Sequence, residues 1–234
     1  MIETIDIFGR SASLYFIWWT VGMIAAFAVG MFVRKQYGLS DAKAIIYISL
    51  DMLIGTFLIY ALAWVFGGGT IKSSNYVRMV VWIGAYGWLL AKLFHDPYEK
   101  IQDFLMLIGS FLFGFARIGC IFPGCCHGYP SSWGLYSNEA GTVCFPIQII
   151  EITVSFTLAL ILWHMHTKER FQGKLYPWFL VMFGSTRFVL EFFRDNHKLF
   201  WGISELALHA LSCLIVGAVI LTLSRKKQRK EVSL

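Results

Sequence analysis

Arg117-Ile118-Gly119-Cys120-Ile121-Phe122-Pro123-Gly124-Cys125-Cys126-His127-Gly128 is the stretch from which the rest of the chain can be read. It follows an apolar run, Asp103 to Ala116, that ends abruptly in an arginine. Three of the five cysteines, one of the six histidines and three glycines fall within these twelve residues. A plain lipid-facing wall has no use for such a concentration of reactive and conformationally permissive residues. The stretch therefore reads as one wall of an active site, set where a membrane helix stops.

The composition supports a membrane setting. Of 234 residues, 57% are hydrophobic, 17% aromatic and only 15% charged. Soluble domains carry about a quarter charged residues. The apolar residues come in long blocks, as membrane helices require. Seven spans follow: Tyr15 to Val33, Ala44 to Gly68, Tyr76 to Phe94, Asp103 to Ala116, Pro146 to His166, Leu175 to Phe193, and Glu205 to Ser224. The expected fold is an all-α integral membrane protein, residues 1–234 forming one polytopic domain. The fourth span is short for a hydrocarbon core of about 30 Å. A re-entrant or interfacial loop, Cys120 to Phe145, is expected to follow it.

Met1 to Arg10 contains Glu3 and Asp6 and lacks the basic start of a cleaved signal peptide, so the first span is expected to stay. The net charge of +6 reads as loop bias, with no nucleic-acid partner. Arg34, Lys35, Lys43, Lys92, Lys100, Lys168, Arg170 and Lys174 fall in loops on one side. With the tail residues Arg225, Lys226, Lys227, Arg229 and Lys230 they make 13 of the 20 Lys and Arg. The C-terminus is therefore expected in the cytoplasm and the N-terminus outside. That puts Arg117, Pro146, Gln148, Glu151, Arg187, Glu191 and Arg194 near the outer face.

Arg187, Glu191 and Arg194 are spaced i, i+4, i+7, one face of a helix. Ionisable groups inside a span are costly and turn to the bundle interior or to a water-filled cavity. One reading is a structural Arg–Glu pair; the other is recognition of an anion. Guanidinium groups give planar, bidentate hydrogen bonds to phosphate, and the anion available at a membrane surface is a phospholipid headgroup. Cys120, Cys125, Cys126 and His127 leave three readings open. One is a metal site, although Cys-x4-Cys-Cys-His matches no common zinc spacing, and no metal is expected. Another is a disulfide, with Cys144 as a partner. The last is packing in a tight turn, or proton transfer by a thiolate or imidazole. Asp51 and Asp103 read as packing or orienting groups, Cys213 as a buried small hydrophobe, and His164 and His166 as interfacial. Glu205 reads as a carboxylate at a helix N-terminus, and Gly67 to Gly69 with Lys72 as a flexible turn.

Arg117-Ile118-Gly119, Gly128, Pro146-x-Gln148-x-x-Glu151 and Gly184-x-x-Arg187-Phe188-x-x-Glu191-Phe192-Phe193-Arg194 resemble stretches found in the same order in bacterial prolipoprotein diacylglyceryl transferases. The resemblance is strongest over residues 103–234. It implies seven membrane helices in the bacterial inner membrane and a role in lipoprotein biosynthesis. It also implies transfer of diacylglyceryl from phosphatidylglycerol to a lipobox cysteine thiol, with no cofactor. By position, Arg117 resembles the family's lipid-binding arginine, Gly128 a glycine important for activity, and Arg187 and Glu191 an essential arginine and its neighbour. Tyr15 resembles the first-helix tyrosine. Gly119, Gln148, Glu151 and Arg194 join the expected lipid site. The family's histidine is missing between Val77 and Gly87. Cys120 and Cys125 replace an asparagine and a glutamate, and Phe145 replaces another histidine. His127 is then the expected base. A non-catalytic protein that binds anionic lipid is the alternative.

Overall fold

The computed structural model describes residues 4–7, 10–66, 75–195, 198–200 and 203–232. The turn expected at Gly67 to Gly69 with Lys72 lies outside them. Seven helices carry the fold: α1 Leu14–Val33, α2 Asp41–Phe66, α3 Asn75–Leu93, α4 Tyr98–Gly119, α5 Ile147–His166, α6 Leu175–Glu191 and α7 Glu205–Val232. Among the described residues, four segments are long and apolar enough to cross a membrane: Leu14–Tyr37, Tyr98–Gly119, Ile147–His166 and Glu205–Ser224.

Helix α4 is the axis of the bundle. Every residue from Ile101 to Ser110 is buried, so neighbours cover it on all sides, as for a helix that is apolar all round. Its most apolar window is 78% buried, against 22–33% in the other three candidate spans. Helices α1, α3, α5 and α6 pack on it, and α7 packs on α6. The outer surface is itself apolar. Phe16, Ile24, Phe32, Leu53, Phe57, Leu160 and Leu223 are each more than half exposed, which suits lipid rather than water.

Helix α4 is longer at both ends than the span Asp103 to Ala116 expected from charge. The helix runs from Tyr98 to Gly119, 22 residues, about 33 Å at 1.5 Å per residue. It is long enough to span, because Glu99 and Lys100 lie on exposed positions of its first turn and do not stop it. Asp103 is no boundary either. From inside α4 its carboxylate accepts the backbone N–H of Leu175 at 2.8 Å and of Tyr176 at 3.3 Å. It thereby satisfies the open N-terminus of α6, the orienting role expected of it. Asp51 likewise accepts the Tyr86 hydroxyl, joining α2 to α3. His166 is buried with its ring beside Tyr37 and Trp163.

Three two-stranded antiparallel hairpins modify the all-α expectation. They are β1 Thr4–Ile7 with β2 Arg10–Ser13, β3 Pro130–Ser137 with β4 Thr142–Cys144, and β5 Lys198–Phe200 with β6 Ile203–Ser204. The second lies within the expected loop Cys120 to Phe145. Pairing lets this segment satisfy part of its own backbone. Helix α7 continues to Val232, past the expected end at Ser224, since the basic tail residues are good helix formers.

Candidate active site

The end of α4, the start of α5, the end of α6 and the start of α7 meet at one end of the bundle. Glu151, one turn into α5, is the hub. Arg187 of α6 donates from Nη1 to its Oε1. Arg194 Nη1 reaches the same oxygen at 2.9 Å. Arg117 Nη1, in the last turn of α4, lies 3.3 Å from Oε2. Arg187 Nη2 also pairs with Glu191 Oε2 at 2.9 Å. Glu191 in turn accepts the Ser204 hydroxyl at 2.8 Å.

Four members of this cluster are almost sealed from solvent: Glu151 is 3% exposed, Arg187 4%, Glu191 5% and Arg194 2%. Three guanidiniums against two carboxylates leave one net positive charge. Nε–H of Arg187 and Nε–H of Arg194, both donors, and the acceptor Oε1 of Gln148 are buried without a hydrogen-bond partner among the described residues. Buried donors of this kind are rare in a finished structural network.

A small, partly open pocket lies beside the cluster. Arg117, Glu151 and Arg187 make its polar end; Val154, Leu158, Phe183 and Leu190 extend it as an apolar groove between α5 and α6. The cavity is thus charged at one end and greasy along its length.

Arg194 does not lie on the α6 helix, contrary to the i, i+4, i+7 reading. The helix ends at Glu191, and a turn carries Arg194 into an isolated antiparallel bridge with Gly128. Gly128 has to be glycine: a Cβ there would lie 2.7 Å from the Phe145 carbonyl oxygen and 2.9 Å from that of Phe193. Gly119 packs less tightly on Tyr15, whose ring and backbone would be 3.1 Å from an added Cβ. Tyr15 stands over the end of α4 in this way.

Gln148 is buried and donates from Nε2 to the Cys125 carbonyl at 3.2 Å, tying α5 to the cysteine turn. Cys120, Cys125, Cys126 and Cys144 are all free thiols, so of the open readings the disulfide is not the one seen here. Cys144 instead ends β4, its thiol 3.7 Å from the Thr142 carbonyl. The other three sulfurs converge within 4.8 Å of one another. Chain spacing hid this, because a sharp turn with positive φ at Gly124 and Cys126 folds the pair back on the end of α4. His127 is not among the residues that line the pocket. It is half-buried, and its Nδ1 lies 3.1 Å from the Gly128 carbonyl.

Residues 4–223 match the family model described as prolipoprotein diacylglyceryl transferase. The chain belongs to that family. It is 29% identical over 126 residues to phosphatidylglycerol–prolipoprotein diacylglyceryl transferase 2 of Clostridium perfringens, covering 50% of this chain and 49% of that protein. It is 25% identical over 141 residues to the Clostridium tetani transferase, covering 56% and 55%. The chain thus spans about half the length of these two relatives. A third, the phosphatidylglycerol–prolipoprotein diacylglyceryl transferase of Chlorobaculum tepidum, is 26% identical over 253 residues, covering 92% of this chain and 87% of that protein.

Phe145 precedes the Pro146 motif, and its ring packs between Trp133 and Phe193; it offers hydrophobic contact there and no titratable group. The sequence reading of this family member also missed Ser204. It caps α7 by accepting the Ala207 N–H at 3.1 Å while holding Glu191. The signal was there: a serine directly before a helix that opens with an acidic residue is an N-cap pattern.

Proposed function

We propose that this chain is a diacylglyceryl transferase that takes phosphatidylglycerol as donor and a prolipoprotein cysteine thiol, or a related acceptor, as nucleophile. The observation that carries the reading is the surplus cation. A cluster meant only to lock helices is best served by balanced charge, because burying an uncompensated ion costs several kcal/mol. Here three arginines surround two carboxylates, and two guanidinium Nε–H groups have no partner among the described residues. A phosphodiester supplies the missing negative charge and acceptor oxygens. The groove lined by Val154, Leu158, Phe183 and Leu190 suits the acyl chains of the same molecule. The names of the relatives support this donor and this acceptor.

In this reading Arg117, Arg187 and Arg194 hold the headgroup, with Glu151 and Glu191 fixing their orientation. The acceptor thiol gives up its proton. Its sulfur then attacks the glyceryl carbon that bears the phosphate ester. A C–S bond forms, the C–O bond breaks, and the electron pair leaves on the phosphate oxygen as glycerol phosphate. The guanidiniums stabilise that developing charge. His127 is the proposed proton acceptor: with Nδ1–H turned to the Gly128 carbonyl, Nε2 keeps its lone pair. Gln148 positions the cysteine turn, and Tyr15 with Gly119 closes the wall opposite.

Residues 1–234 would form one polytopic unit with all seven helices as spans. The N-terminus would lie outside and the C-terminus in the cytoplasm, a reading supported by the one-sided distribution of Lys and Arg. The site would then sit just beneath the outer surface, where a lipobox peptide could reach it.

The test uses the purified full chain in vesicles with a lipobox peptide. With phosphatidylglycerol present, the peptide should gain the mass of a diacylglyceryl group and glycerol phosphate should appear. With phosphatidylethanolamine alone, neither should. Absence of both products over phosphatidylglycerol, in protein that retains its helical content, defeats the reading.

A further inference from the structure

The three thiols of the cysteine turn beside the arginine cluster take no step in the transfer chemistry above, yet the turn is a built feature. Cys120 caps the end of α4, and Cys125 and Cys126 follow a four-residue turn. The three Sγ atoms lie within 4.8 Å of one another, and none is in a disulfide. The backbone is bent to bring them there. Gly124 has φ +66° and Cys126 has φ +60°, a left-handed conformation that residues with a Cβ seldom adopt. Contacts from two other elements hold the turn. Ser137 Oγ of β3 donates to the Gly124 carbonyl at 2.7 Å, and Gln148 Nε2 of α5 donates to the Cys125 carbonyl at 3.2 Å.

Three sulfurs bound tetrahedrally to one zinc ion, each at about 2.3 Å, stand about 3.8 Å apart. The cluster therefore needs only to contract by about 1 Å, within the reach of side-chain rotation. Sulfur ligands favour soft or borderline cations such as Zn²⁺ over Mg²⁺ or Ca²⁺. We propose that Cys120, Cys125 and Cys126 form a three-thiolate site for Zn²⁺. Binding exchanges three S–H protons, released to buffer, for three S–Zn bonds. No fourth His, Cys, Asp or Glu joins the three among the described residues, so the fourth position is left to water or another small ligand. The ion would clamp the end of α4, three residues beyond Arg117, to the segment leading into Gly128. This proposal does not depend on the transferase reading.

The test uses the full chain purified in detergent under anaerobic reductant, stripped with chelator and then titrated with Co²⁺ and Zn²⁺. One equivalent of Co²⁺ should bind with a thiolate-to-cobalt charge-transfer band in the near ultraviolet, and Zn²⁺ should displace it. Cys120→Ser and Cys126→Ser should each weaken binding at least tenfold, with metal-free melting curves like the wild type. Cys144→Ser and Cys213→Ser should bind as the wild type does. Wild-type protein with its thiols reduced that shows no charge-transfer band and retains no zinc overturns the proposal. So does binding that survives in both Cys120→Ser and Cys126→Ser.

Discussion

Gly128 and Arg194 face each other across an isolated antiparallel bridge. This pairing fastens the loop after α4 to the turn after α6 and sets Arg194 2.9 Å from Glu151. It needs the missing Cβ, since backbone carbonyls of Phe145 and Phe193 press on that position. Gly128→Ala should push the two segments apart and withdraw Arg194. Turnover of a lipobox peptide over phosphatidylglycerol should fall at least tenfold, while insertion and helical content by circular dichroism stay near wild type. Unchanged turnover would mean that the bridge does not position the cluster.

Glu151 receives three arginines, so its loss is the most damaging single change to the cluster. Glu151→Gln leaves the guanidiniums facing a neutral amide. Removing one partner of a buried ion pair costs about 3–5 kcal/mol. A large fall in melting temperature should accompany loss of turnover. Glu151→Gln combined with Arg194→Gln removes one charge of each sign and should recover part of the stability without recovering activity. Thermal unfolding of the two variants in detergent checks this.

Ser204 links the cluster to α7 by holding Glu191 and capping the helix. Ser204→Ala removes both contacts, at about 1–2 kcal/mol. Ser204→Thr keeps the hydroxyl and should restore most of the loss. A matched pair of melting curves distinguishes the two variants.

At the opposite end of the bundle Lys43 and Tyr47 of α2 donate to Asp96, each at 2.8 Å. Partial burial works against the Asp96 carboxylate. The hydrogen bonds from Lys43 and Tyr47, with the Lys43 charge, outweigh it and hold the group below its usual range. A depressed carboxyl pKa contributes stability that is present above the unfolded value of about 3.9 and lost as pH falls through the folded value. For a pair this close to the surface the contribution is at most about 1 kcal/mol. Wild type should therefore lose its stability advantage over Asp96→Asn below about pH 4, and hold it at neutral pH. Melting temperature against pH for both proteins tests the sign.

Much of the helical framework was legible in the chain. Tyr15 to Val33 was read for a helix that runs Leu14–Val33, and Tyr76 to Phe94 for one that runs Asn75–Leu93. Hydropathy marks such segments because each must satisfy its own backbone in lipid. The α4 start is hidden in the sequence because Glu99 and Lys100 look like an end when only charge is counted. The β3–β4 hairpin is hidden because its residues carry no clean alternation. The Arg187–Glu191 pair was visible from spacing, since four residues make one helical turn. Glu151 was visible only as a charge inside a span.

A membrane bundle, the residues at which chemistry can occur and the family resemblance they carry are all written along the chain. These are properties of single segments: apolar length, one helix face, one short motif. It takes the packed helices to make Glu151 the shared partner of arginines 36 and 43 residues away, to bring Arg194 in from a turn and to gather three cysteines as free thiols. Such pairings depend on which helix ends share a depth and how closely glycines let them approach, and no local pattern along the chain encodes that.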